Sequence, residues 1–262
     1  MKQINCFIPF ENATQAAKTI ENLCQSALLN KIYLLSTNAE SSFEGCETIL
    51  IDNLQSSATM HKIAAKSDTE YSLIYTKHTT LETGQFALER FARIASDTKG
   101  GMVYSDYYEV KEENRSTHPV IDYQEGSLRD DFNFGSVLFY NAAMLRKAVE
   151  ANRTDYQFAG LYDVRLRVSQ QAELFHINEY LYTEVETDTR KSGEKQFDYV
   201  DPRNRAVQIE MEIACTEHLK MIGAYLAPEF KDIAFNENHF PVEASVIIPV
   251  KNRAKTISDA IQ

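Results

Sequence analysis

What most constrains this chain is an alternation. Over the first 110 residues, short apolar runs of strand character take turns with stretches of helical period. Ile4 to Phe10 is an apolar run closed by Pro9 and a polar turn. Thr14 to Leu29 then places Ala17, Ile20, Leu23, Cys24 and Ala27 on one helical stripe. Lys31 to Leu35 and Thr48 to Ile51 read as short buried strands, Ser57 to Lys66 as a helix, and Tyr71 to Tyr75 as a strand. Thr83 to Asp97 is an amphipathic helix stopped by Gly100-Gly101, and Met102 to Tyr108 is the next strand. Strand, helix, strand at this spacing builds parallel βαβ units. Ligands of such sheets lie beyond the carboxyl ends of the strands. The residues after Phe10, Leu35, Tyr75 and Tyr104 are therefore the first place to look for chemistry.

The second half is less regular. Lys111 to His118 reads as a hairpin or loop, and Asn133 to Tyr140 as a buried strand followed by a helix capped near Asn141. Tyr162 to Gln170 is helical, Glu173 to Ile177 a strand, and Arg203 to Leu226 a long helix. That helix sets Val207, Met211, Ala214, Cys215 and Ile222 on one side, which packing or dimerisation explains. Glu229 to Pro241 has no clear period and reads as linker; Ala244 to Val250 is a final apolar strand.

Charge narrows the partners. With 38 acidic against 27 basic residues, the net charge is -11. An acidic surface repels phosphate backbones and anionic lipids, so nucleic acid is not an expected partner. The apolar run near Met1 is too short for a secretory leader, and no run approaches the ~18 apolar residues of a membrane span. The four cysteines show no ligand spacing and read as reduced thiols, so the expected location is cytoplasmic.

The tail repeats the start. FIPFENATQAAKTI (from Phe7) aligns with IIPVKNRAKTI (from Ile247) once three residues are dropped: Pro9 matches Pro249, Asn12 matches Asn252, and AKTI recurs at Ala17 and Ala254. SVIIPVKNRAKTISDAIQ resembles the opening of a family 2 glycosyltransferase, which typically reads VSVIIPxYN. Weaker similarities follow in the family's order: IAAKSDTEYSLIY (from Ile63), VYSDYYEV (from Val103), FGSVLF (from Phe134), and Tyr162 to Arg167 with Phe175 to Tyr182. The resemblance implies an α/β fold of GT-A type, a doubly wound, mostly parallel sheet flanked by helices that binds a nucleotide-sugar. It also implies an organisation: a glycosyltransferase-like unit over 1–228, a linker over 229–242, and the truncated start of a second unit over 243–262.

Three departures bear on activity. The family carries a carboxylate after the second strand, and here that strand ends Leu35-Ser36-Thr37-Asn38. An Asp-x-Asp holding a divalent cation is replaced by Thr76-Lys77-His78, which offers a hard cation no anionic oxygen. The acidic pair that supplies the base is replaced by Gly160-Leu161. Loss of a base typically removes ~10²–10⁴ in rate. The expectation is thus a unit that is non-catalytic or binds weakly, with no metal of its own; Mg²⁺ or Mn²⁺ would belong to the downstream unit. Donor-side positions implied by the resemblance are Pro9, Asn12, Ser36, Asn38, Lys77 and His78. Asp106 and Asp163 are the remaining catalytic candidates, set against a turn aspartate satisfied by backbone amides and a helix charge paired with Arg165 or Arg167. Two alternatives stand beside this: an active metal-independent transferase using Lys77 or His78 with Asp106, and an oligomerisation or glycan-binding module. Expected partners are a nucleotide-sugar, a glycan acceptor, the downstream unit and a second copy in a homodimer.

Overall fold

The computed structural model describes residues 2–111, 114–185, 204–232 and 245–248. The chain divides into a compact unit, Met1–Tyr225, and a second segment, Leu226–Gln262. The second copy of the repeat lies outside the described residues except for 245–248, as does most of the expected linker.

The compact unit is built on a nine-stranded sheet. Its strands are β1 (Ile4–Pro9), β2 (Leu29–Ser36), β3 (Glu47–Leu50), β4 (Tyr71–Tyr75), β5 (Glu82–Thr83), β6 (Met102–Lys111), β7 (Asn114–His118), β8 (Val137–Asn141) and β9 (Leu174–Val185). The order is β3-β2-β1-β4-β8-β6-β9-β5, with β7 on β6. β1 pairs in parallel with both β2 and β4, and β2 with β3. β8 then runs antiparallel between β4 and β6, after which β6 and β9 are parallel again. The helices are α1 (Ala13–Leu23), α2 (Ser57–Ala65), α3 (Ala87–Thr98), α4 (Ala142–Ala151), α5 (Gly160–Ser169) and α6 (Arg205–Met221).

Strand alternation sorts the apolar residues onto two faces. Ile4, Cys6 and Ile8 of β1 pack with Leu23 of α1 and Phe91 of α3 in one core. Phe7, between them, packs with Met60 and Ile63 of α2, Leu145 of α4 and Val164 of α5 in the other. Helix starts follow local chemistry. Ser56 Oγ accepts from Thr59 N (3.2 Å) at α2, and Asn141 Oδ1 accepts from Ala143 N and Met144 N (both 3.1 Å) at α4. α5 has no cap of its own; Glu210 of α6 accepts from the amides of Gln157, Phe158 and Ala159 at 3.1, 2.7 and 3.1 Å.

Several boundaries differ from expectation for identifiable reasons. The first helix stops at Leu23 because Leu29 already pairs with Ile4 in the sheet. The third begins at Ala87, since Glu82 and Thr83 pair with Thr183 and Tyr182 as β5 and Gly84 N donates to Leu181 O (2.7 Å). β8 begins at Val137, because Gly135 turns with φ 72° where the Tyr182 hydroxyl leaves no room for a side chain. α6 ends at Met221, where Gly223 (φ 73°) takes the left-handed turn that closes a helix. On α6, Ala214 is buried with Met211 and Cys215 packed beside it, whereas Ile222, expected on that side, is exposed.

Candidate functional site

Four parallel strands deliver their carboxyl ends to one place. β1 supplies Pro9, Phe10 and Glu11; β2 supplies Leu35 to Asn38; the residues after β3 supply Ile51 to Gln55; the residues after β4 supply Thr76 and His78. Together they line a cleft of about 490 Å³. Its walls are tied strand to strand: Phe10 N donates to Leu35 O, Ile51 N to Ser36 O (both 2.8 Å), and Thr76 N to Ser136 O (2.9 Å).

The polar groups here are partly committed. Ser36 is buried; its hydroxyl lies 2.8 Å from Ser41 Oγ and accepts from Asn38 N at 3.1 Å. Asn38 Oδ1 in turn accepts from Glu40 N (2.9 Å). The position where the resemblance expects a carboxylate thus holds a turn together. Asn53 Oδ1 accepts from Gln55 N (3.0 Å), while its Nδ2 donates to Gln157 O (2.8 Å). Glu11 and Asp52 bring negative charge, and His78 is the one basic side chain on the described lining. Asn12 accepts from Ala16 N through its carbonyl (3.1 Å), so it opens α1 beside the cleft.

The structure thus brings Pro9, Ser36, Asn38 and His78 together and sets the other candidates apart. Lys77, between two cleft residues, ion-pairs with Glu184 of β9, whose side chain is only 5% exposed. Asp106 is buried; its Oδ1 accepts from Val120 N (2.8 Å) and lies 2.9 Å from His176 Nε2. His176 Nδ1 is 2.7 Å from Asp122 Oδ1. Asp163 is also buried, with Oδ2 accepting from Arg167 Nε at 2.7 Å and Oδ1 unpartnered. Burial pushes its carboxyl above the usual carboxylate range, while Arg167 pulls the other way. Glu11 falls where the strand-end rule points after Phe10; Asp52, Asn53 and Gln55 are cleft residues that the sequence reading did not single out, and the same rule applied to Ile51 reaches them.

A divalent cation on a diphosphate wants carboxylate oxygens, and Thr76, Lys77 and His78 supply none. Among the described residues no cluster of His, Cys, Asp or Glu could hold a metal ion. Position 160 is also closed to an acid. Gly160 N donates to Gln55 O (2.7 Å), and a Cβ there would meet Ser57 N and lie 2.5 Å from Ser56 C.

A second cavity, of about 340 Å³, shares Gln55 and Thr76 with the cleft. Asp130, Asp131, Phe132, Phe134, Tyr162 and Arg165 are on its lining.

The largely parallel sheet flanked by helices, with a cleft at the ends of β1 to β4, is an α/β fold of GT-A type, as its structural neighbours show. Solved structures similar to it include those of TarS from S. aureus. TarS 1-349 in complex with UDP-GlcNAc superposes with a TM-score of 0.56 at 9% identity, over 83% of this chain and 66% of that one. TarS 1-349 gives 0.55 at 9%, over 83% and 79%, and TarS gives 0.51 at 10%, over 83% and 43%. The chain therefore spans just under two thirds of the first of these and less than half of the last. At such identities the likeness is one of fold. No protein-family model and no curated protein matches the sequence. No helix among the described residues is long and apolar enough to cross a membrane.

Proposed function

We propose that residues 1–228 form a family 2 glycosyltransferase-like unit that does not catalyse transfer and serves as a weakly binding module of a sugar-transferring protein. In this reading a second unit, begun by residues 243–262, carries the chemistry of polysaccharide or glycoconjugate synthesis. The fold supports the glycosyltransferase half of the reading. Its solved neighbour binds UDP-GlcNAc and UDP, and the cleft at the ends of β1 to β4 lies where α/β sheets hold nucleotides.

The observation that carries the non-catalytic half is the treatment of one position from each of the three departures. Each position is built into local structure: Ser36 in a turn, Thr76 on Ser136, and Gly160 against the backbone of 55–57. A diphosphate entering the cleft meets Glu11 and Asp52, with neither lysine nor arginine on the described lining to offset them. Of the two basic residues that the metal-independent alternative can use, Lys77 is held by Glu184 and His78 lines the cleft.

Calorimetry with UDP-, GDP- and dTDP-sugars, with and without Mn²⁺, tests this. Binding that is weak and indifferent to Mn²⁺ is expected. Tight, Mn²⁺-dependent donor binding would overturn the reading.

A further inference from the structure

The second cavity contains a charge that the described residues leave without a counter-ion. Arg165 is 5% exposed, yet among the described residues no carboxylate forms an ion pair with it. Its guanidinium donates to Arg129 O (3.0 Å) and, at the limit of a hydrogen bond, to Ser127 O (3.5 Å). The rest of its surroundings are aromatic: it lies 4.8 Å from the ring centre of Tyr162, 5.3 Å from Phe134 and 5.7 Å from Tyr123. Ring faces attract a cation, but each only weakly. Taking a charged group out of water without a partner ion costs more than such contacts return. The neighbouring α5 arginine shows the usual solution, since Arg167 is paired to Asp163. Arg165 instead lines the cavity.

Two carboxylates stand on the same lining. Asp131 is held by a two-pronged pair with Arg129 (2.8 and 2.7 Å), which neutralises it. Asp130 is exposed, where solvent screens it, and can accept from a hydroxyl. Phe132, Phe134 and Tyr162 supply faces of the kind that pack against the C–H face of a pyranose ring.

From the buried, unpaired guanidinium, the aromatic walls and the junction with the cleft at Gln55 and Thr76, we infer that this cavity binds an anionic sugar, one bearing a carboxylate or a phosphate. Arg165 takes the anion, for which its planar fork is suited. The rings take the sugar. Naming this sugar an acceptor rests on the glycosyltransferase reading above; the binding itself does not.

Titration of the full chain with glucuronic acid, glucose 6-phosphate, glucose and inorganic phosphate, followed by NMR, tests this. Glucuronic acid and glucose 6-phosphate separate the two sources of the anion, and tighter binding of either supports the inference. At least one should bind tenfold or more tighter than glucose. Arg165→Met, which keeps the stem against the rings, should erase that preference, and Arg165→Lys should keep part of it. Equal binding of all three sugars would overturn the inference, as would an Arg165→Met chain that still prefers the anion. Inorganic phosphate matching glucose 6-phosphate would also overturn it, because the rings would then contribute nothing. UDP binding, measured on the same samples, reports separately on the donor cleft.

Discussion

Gly160 is where fold and chemistry meet most directly, and replacing it with alanine measures how firmly the position is closed. The added Cβ would meet Ser57 N and sit 2.5 Å from Ser56 C, well inside contact with backbone that cannot rotate away. The residues after β3 would have to move, straining the bonds Gly160 N to Gln55 O (2.7 Å) and Ser57 N to Tyr156 O (2.8 Å). Overpacking of this kind costs ~1–3 kcal/mol, and weakening one backbone hydrogen bond adds about 1 kcal/mol. Alanine's helix preference over glycine, at most about 1 kcal/mol, acts against this and is diminished because Gly160 is the first residue of α5. The balance is a destabilisation of roughly 2–3 kcal/mol. Urea unfolding reads this as a midpoint about 1 M lower at unchanged slope. Thermal unfolding should fall by roughly 5–10 °C for a domain of this size. An unchanged midpoint would refute the reasoning. It would mean that the residues after β3 yield freely and that an acidic side chain at 160 is not excluded by space.

Two further outcomes are expected. Lys77→Met leaves Glu184 buried with neither oxygen paired, since Oε2 already lacks a partner, and should cost about 3 kcal/mol in urea unfolding. The double change Lys77→Met with Glu184→Met should recover most of that; donor-sugar binding should be the same in all three chains, because Lys77 is not on the cleft. His218 is held below its ordinary value by burial, with Arg165 and Arg167 adding to the effect. Below pH 6.5 the unfolded chain takes up a proton that folded His218 refuses, so its contribution to stability falls as pH falls from about 7 to 5. His218→Gln should flatten that part of the stability profile, and an unflattened profile would show that another group sets it.

Buried strands were the most legible part of the sequence. Tyr71–Tyr75 was read to the residue, because all five positions are buried and the run has polar residues on either side. Strands defined by a partner rather than by their own composition were not: β5 is two residues long and exists because Glu82 and Thr83 meet β9. The cleft was found by the strand-end rule for β1, β2 and β4. It was missed at Asp52, Asn53 and Gln55 because the end of β3 was not followed. The Lys77–Glu184 pair joins two loop and strand ends far apart in sequence, and nothing local to either residue announces the other. α5 misled in a different way. Charges on a helix normally face solvent, yet Asp163 and Arg167, one turn apart, and Arg165, on another side, are all buried: α6 packs on the helix and Arg165 bonds to the carbonyls of Ser127 and Arg129. Of the two arginines weighed as partners for Asp163, Arg167 makes the bond.

The departures from the family pattern also have a common physical form. A carboxylate that is simply lost from a cleft leaves an exposed, indifferent position, and a single substitution could restore it. Positions 36, 76 and 160 do not have that character, whereas His78 on the cleft lining is exposed. Ser36 donates or accepts within its turn, Thr76 is bonded to Ser136 through both its amide and its hydroxyl, and Gly160 is in contact with the backbone opposite. An aspartate at 76 would set a carboxylate against the Ser136 carbonyl oxygen, and one at 36 would bring a charge to a position that is 4% exposed. An acid at any of these three positions therefore opposes the fold before it can serve chemistry. Because the positions lie on or beside different elements with different partners, those penalties add rather than share a remedy. At positions 36, 76 and 160 the fold by itself opposes a carboxylate.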